Sequence, residues 1–300
     1  MIYSMKSNIR FLILLVILSG CAASNQNKQL SNDAKSAMAS GDYQKALANY
    51  ENIIALNKAN NKETDGSVYN NAGIAAWGLQ QTEKSIDYLE TAKRLSSTSE
   101  ETFSTIAKAY RKIDNLSKEI SSLEEYVQRH PQGREILPVR TQLFDAYVRS
   151  ENWELGEQLW PLLDSASHNN IQNLTGYLRI KRKLEKVDER DNLAKQILKK
   201  DKNNIEALET LAEKHYYIAD ETYVKEMKAY EKNKTMKQYN QVTEAIKKVN
   251  QEYKTARDYF ERLYKLNPNA RYANFLGNIY TRFENKEKAN YYYRLAKKKN

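Results

Sequence analysis

From residue 27 onward the chain repeats itself at a period near 34 residues, and this constrains its fold more than any other feature. A period of that size marks one supersecondary unit stacked on copies of itself. The signature of a second helix is clearest in Gly41-Asp42-Tyr43-x-x-Ala46-x-x-x-Tyr50. It recurs as Tyr253-x-x-Ala256-x-x-x-Phe260-x-x-Leu263-x-x-x-x-Pro268 and as Ala289-x-x-x-Tyr293-x-x-Ala296. A first-helix signature, a small residue followed three positions later by Ala or Tyr, appears at Gly73/Ala76, Ala107/Tyr110 and Gly277/Tyr280. Small residues let two antiparallel helices approach closely, and the aromatic fills the groove of the next hairpin.

These residues resemble the tetratricopeptide repeat (TPR), and the resemblance covers almost all of the chain after residue 26. It implies an all-α, TPR-like superhelical solenoid of about seven helical hairpins, at about 27–60, 66–99, 100–133, 137–170, 171–204, 205–270 and 270–300. Pro131 and Pro268 fall where the family places a proline at the close of a second helix, a residue that cannot continue one. The fifth hairpin fits worst, because Lys181 and Arg190 stand where small or aromatic residues are expected. An irregular helical bundle explains the helicity but not the period. Only Gly 9 and Pro 4 occur in 300 residues, too little turn chemistry for a β-rich fold.

A single hairpin cannot hide its apolar face, so stacking builds a continuous core and a curved surface. By analogy with the family, the concave surface comes from the first helices, where partners are held. The candidates there are Asn70, Trp77, Lys108, Arg111, Arg179, Arg182, Asn274 and Asn278; taken singly, each reads more readily as part of a solvated helix face. The clamp by which chaperone-binding members hold a C-terminal carboxylate is absent: Ser31, Lys35, Asn71, Glu101 and Thr105 occupy its places, and only Asn71 fits.

The sixth hairpin carries about 32 residues too many. Tyr216, Ala219, Tyr223, Met227 and Tyr230 run at helical spacing. After Lys232-Asn233-Lys234-Thr235 the series resumes at Tyr239, Val242, Ile246, Val249, Tyr253, Ala256, Phe260 and Leu263, with gaps alternating between three and four. That is a heptad seam. It predicts an extended antiparallel helical hairpin with a coiled-coil-like insertion over about 220–251, reaching out ~22 Å or bending back onto the array.

Charge follows the same division. Residues 201–300 hold 21 Lys and Arg against 14 Asp and Glu, a net of +7, whereas 21–200 carry 25 against 24. Lys228, Lys232, Lys234 and Lys237 at the hairpin tip are the second group of candidate partner-binding residues. An anionic lipid, a glycan or an acidic protein suits them, as does the plain reading of a lysine-rich solvated face.

The N-terminus points to export. Lys6 and Arg10 precede the apolar run Phe11 to Leu18, then Ser19, Gly20 and Cys21, the lone cysteine of the chain. A basic start, a short apolar core and small residues describe a secretory signal. Leu18-Ser19-Gly20-Cys21 resembles the bacterial lipobox, which implies a cleaved signal over 1–20, lipidation (palmitate) at Cys21 and a short tether over 21–26. In composition the Lys/Asn/Tyr-rich chain resembles Gram-negative, Bacteroides-like lipoproteins. Without an acidic residue after Cys21, the expectation is an outer-membrane lipoprotein facing the periplasm.

His130, His168 and His215 are far apart, and no metal-ligand spacing, nucleophile arrangement or phosphate loop is present. The expectation is no cofactor, no metal site, no nucleic-acid partner and no enzyme. The function this implies is a lipid-anchored scaffold or adaptor that binds a protein or complex at the cell envelope. The alternative is an envelope glycan-binding protein or accessory enzyme using the basic, Tyr-rich C-terminal third.

Overall fold

The computed structural model describes residues 25–298; the signal segment and Cys21 lie outside them. Among the described residues all regular structure is helical, and the helices group into two compact units divided between Ser150 and Glu151.

The first unit holds α1 (residues 25–39), α2 (Tyr43–Ala59), α3 (Gly66–Gly78), α4 (Thr82–Arg94), α5 (Glu100–Lys112), α6 (Leu116–Arg129) and α7 (Ile136–Arg149). The second holds α8 (Trp153–Leu159), a 3₁₀ turn (Trp160–Leu162), α9 (Ser165–Asn169), α10 (Ile171–Lys183), α11 (Val187–Lys200), α12 (Ile205–Lys232), α13 (Met236–Leu266), α14 (Ala270–Arg282) and α15 (Lys286–Lys298). From α2 to α7 and from α10 to α15 each helix packs on its neighbours in sequence, the nearest-neighbour packing of stacked hairpins, while α8 and α9 both pack on α10.

Small residues do the work expected of them. A Cβ on Gly73 would lie 2.6 Å from Leu89 Cγ, and one on Gly277 would meet the Tyr293 ring at 2.5 Å. The two helices of the second and the last hairpin therefore approach as closely as glycine permits. In the second hairpin Ser85 Oγ also donates to the Gly73 carbonyl at 2.8 Å.

One turn recurs that the low glycine content concealed. Gly41, Gln80, Asp114, Glu185 and Glu284 adopt positive φ between the two helices of their hairpins. The next N–H returns to a carbonyl five residues back: Asp42 to Ala37, Gln81 to Ala76, Asn115 to Tyr110, Lys186 to Lys181 and Asn285 to Tyr280, at 2.8–3.0 Å. This is the Schellman closure, here built mostly on polar residues rather than glycine. In the same register the sixth hairpin has Ala219, fully buried. A buried alanine carries the apolar series on instead of stopping the helix, so α12 runs 28 residues and α13 31. The extended hairpin of the sixth repeat is thus a missing turn. From Ala219 to the tip is about 20 Å of helix.

The fourth hairpin departs from expectation. In the stretch placed at about 137–170, the part after α7 is divided at Trp160-Pro161 into α8, a 3₁₀ turn and α9. Proline has no N–H to donate and crowds the preceding turn, so the helix cannot pass through it. Asp164 restarts it, its side chain accepting from Ser167 N at 2.7 Å, while Trp160 stacks on Tyr177 with centroids 4.2 Å apart.

A second repeated device locks successive hairpins. Tyr110 donates to Glu90 (2.6 Å), Tyr147 to Glu124 (2.8 Å), and Tyr280 to Glu261, each a first-helix tyrosine reaching the preceding second helix. Lys181 occupies the same place in the fifth hairpin and reaches Glu157 at 2.6 Å. That explains a lysine at an aromatic position: it is buried yet keeps the donor. Burial works against its charge, but bonds to Glu157 and Glu189 hold its pKa above the ordinary lysine range.

Burial first, and then a hydrogen-bonded carboxylate, push the Tyr88 and Tyr280 hydroxyls up to about 12. A folded-state pKa above the unfolded value near 10 means the unfolded chain loses its phenolic protons first. The stability these tyrosines contribute is complete below about pH 10 and is lost as pH rises towards 12. Melting temperature measured from pH 8 to 11.5 should therefore fall at the alkaline end. The share of the tyrosinate absorbance that belongs to buried tyrosines such as Tyr88 and Tyr280 should appear only with unfolding.

Candidate functional site

The first-helix candidates are largely committed to partners within their own unit. Asn70 is buried and accepts from Thr102 Oγ1, so it belongs to the packing rather than to a surface. Trp77 is half-buried, with Lys112 Nζ 5.8 Å from its ring centroid. Lys108 lies 3.7 Å from Glu135, and Arg111 pairs with Asp145 at 2.9 Å and lies 3.6 Å from Glu119.

In the second unit Arg179 pairs with Glu206, and Arg182 lies 3.7 Å from Glu209 and 3.5 Å from Glu213. Arg271 of α14 reaches the same two glutamates. An ion-pair ladder thus ties α10, α12 and α14 together. Arg179 and Arg182 read in the sequence as anchors for a partner because their acidic neighbours lie 27 or more residues away.

Asn274 and Asn278 are exposed. Asn278 donates to the Tyr216 hydroxyl at 3.2 Å and accepts from Tyr293 at 2.9 Å. Asn274 lines an open groove of about 720 Å³ between α14 and α15, with Glu287, Asn290, Tyr293, Arg294 and Lys297.

The long hairpin behaves differently. Lys228, Lys232, Lys234 and Lys237 are all exposed around the tip, where Thr235 caps α13 by accepting from Gln238 N at 3.2 Å. Tyr253 donates to Asp220 at 3.0 Å, and the Arg282 guanidinium sits 4.4 Å over the Tyr223 ring. These mark the last level at which α14 touches the hairpin. Among the described residues, the hydrogen bonds, ion pairs and ring contacts of 224–248 stay within the hairpin itself, such as Lys247–Glu244 and Tyr230–Tyr239.

The seam is only half used there. Val242 and Val249 are buried as expected, but Tyr239 is 53% and Ile246 37% exposed, against the expectation of one continuous seam. Nearer the base all four seam residues, Tyr253, Ala256, Phe260 and Leu263, are buried, and there Phe260 meets Phe275 of α14 and Tyr253 meets Phe283 just past its end.

Among the described residues no cluster of His, Cys, Asp and Glu has metal-site geometry, and no helix is long and apolar enough to cross a membrane. Two family models match the chain. "Psidin, N-terminal TPR repeats region" matches residues 36–161, and "Tetratricopeptide repeat" matches residues 248–300. The fold is a tetratricopeptide-repeat fold.

No curated protein matches the sequence. Among solved structures, the C-terminal part of a TPR protein from Cytophaga hutchinsonii is similar at 13% identity, covering 89% of this chain and 94% of that one, TM-score 0.49. A TPR protein from Parabacteroides merdae is similar at 12% identity, covering 92% and 93%, TM-score 0.44. A TPR protein from Bacteroides fragilis shares 17% identity, covering 90% and 98%, TM-score 0.36. TPR arrays hold protein partners, and this chain has the architecture for that role.

Proposed function

We propose that this TPR chain is an exported, lipid-anchored scaffold that binds another protein or complex at a bacterial cell envelope, on the periplasmic side of an outer membrane. The observation that carries the reading is the long hairpin. A stack of repeats has no need of arms that touch only each other, and these present seven lysines between residues 224 and 248. The lipobox-like Leu18-Ser19-Gly20-Cys21 supports anchoring.

Three buried tyrosines of the basic third favour a scaffold over a glycan-binding surface, whereas Tyr217 and Tyr291, each 49% exposed, are among those a glycan would use. Tyr253, Tyr272 and Tyr280 are buried and donate to carboxylates, so they serve as core rather than as platforms for sugars.

Mass spectrometry of the mature protein should find a diacyl or triacyl cysteine at residue 21, and Cys21→Ser should move the protein into the soluble fraction. Affinity capture of the intact protein from cross-linked membranes should return a reproducible partner, and protease added to whole cells should leave the protein uncut. A soluble parent with an unmodified N-terminus overturns the anchor. Capture of nothing overturns the scaffold, and ready digestion overturns the periplasmic orientation.

A further inference from the structure

We propose that the exposed side of the long hairpin is a seat for an acidic amphipathic helix of a partner protein, laid along Tyr239 and Ile246; this rests on the scaffold reading. At the base of the hairpin that side already holds a helix. Phe260 stacks on Phe275 of α14 with centroids 4.4 Å apart and rings 12° from parallel, and Tyr253 meets Phe283 at 6.4 Å. The α14 helix ends at Arg282. The heptad positions that α14 covers as Phe260 and Tyr253 continue outward, seven residues at a time, as Ile246 and Tyr239.

The arms therefore extend an established three-helix packing with its third helix missing. Tyr230 and Tyr239 meet across this side with centroids 6.1 Å apart, and Met236 stands 74% exposed at the tip. Another side of the same hairpin is polar, a groove lined by Glu226, Lys237, Gln241, Glu244 and Lys248 among others. The side that continues the α14 seat, by contrast, exposes the apolar Tyr239 and Ile246.

Charge selects the occupant. Residues 224–248 carry seven lysines against three glutamates, a net of +4. A second copy of this hairpin would set like charge against like. A helix with apolar residues at heptad spacing and glutamates elsewhere complements both the stripe and its surroundings.

The test uses the full-length protein and three synthetic peptides of about three heptads. One has leucines at heptad spacing among glutamates, one has lysines in place of the glutamates, and one is the acidic peptide scrambled. Fluorescence anisotropy should give the acidic amphipathic peptide a Kd at least 10-fold tighter than either control. The double variant Y239S/I246S should lose that advantage, and salt should weaken binding to the parent. Both substituted residues are exposed, so circular dichroism should show unchanged helicity in the variant.

Equal binding to parent and variant overturns the proposal, as does equal binding of the scrambled peptide. It also falls if the Tyr239/Ile246 face instead mediates self-association or binding to phosphatidylglycerol vesicles. Partner capture that survives Y239S/I246S sinks this seat and leaves the scaffold standing, whereas capture of nothing by the parent sinks the scaffold.

Discussion

Replacing Phe260 with alanine is expected to destabilise the second unit by about 3–5 kcal/mol, the range for truncating a buried aromatic. Phe260 is fully buried. Its ring stacks on Phe275 and lies 6.3 Å from Tyr272 and 6.5 Å from Tyr216, so it is where α12, α13 and α14 meet. Removing it leaves a cavity that three packed helices cannot collapse without breaking the Tyr253–Asp220 and Tyr280–Glu261 bonds beside it. Because repeats are stabilised chiefly by their neighbours, amide exchange should accelerate in α12 to α15 and stay unchanged in α3 to α6. Tyr239→Ala, at the same heptad position three heptads outward, is the control. Its exposed side chain covers little, so its cost should stay within about 0.5 kcal/mol. Equal losses for the two variants would show that α14 is not what buries the seam.

The second large effect belongs to Arg149. Glu119 is 2% exposed at a position that holds a small residue in most of the other hairpins. Both of its carboxylate oxygens accept from Arg149 Nη2 at 2.7 Å. Arg149→Ala removes that donor and leaves a buried carboxylate, for which the cost is about 3–5 kcal/mol. The loss should fall at the lower end, because Arg111 still approaches Glu119 at 3.6 Å. Arg149→Lys keeps the charge without the planar guanidinium and should lose less. Combining R149M with E119L should recover most of the stability, since apolar residues of similar volume replace buried ion pairs at little cost. Denaturant midpoints of the four proteins decide it. A double variant as unstable as Arg149→Ala would mean that packing, rather than stranded charge, sets the loss.

Helical class, repeat spacing and the long sixth hairpin were legible because each rests on apolar periodicity, which is a local property of the chain. Gly73, Ala107, Ala256 and Gly277 announce close helix crossings by their size alone. Pro161 was equally visible, but how far it would divide the fourth hairpin's second helix depended on Asp164 and on the seat that Tyr177 offers Trp160.

The candidate surface was far less legible. Arg111, Arg179 and Arg182 read as free anchors, yet each faces a carboxylate on another helix. Pairing at that separation is settled by how hairpins stack, which no local pattern records. Lys181 looked misplaced until Glu157 stood opposite it, one turn nearer the start of its helix than the glutamates that Tyr110 and Tyr147 reach.

The heptad seam shows the division of labour most directly. Sequence alone determined that Tyr239, Ile246, Tyr253 and Phe260 fall on one side of α13, because 3.6 residues per turn admit no other arrangement. Only the tertiary structure decided that the inner pair is buried and the outer pair exposed. The physical reason is length: α14 ends at Arg282, one turn's worth of packing beyond Tyr253, and a side chain is buried only where a neighbouring element reaches it.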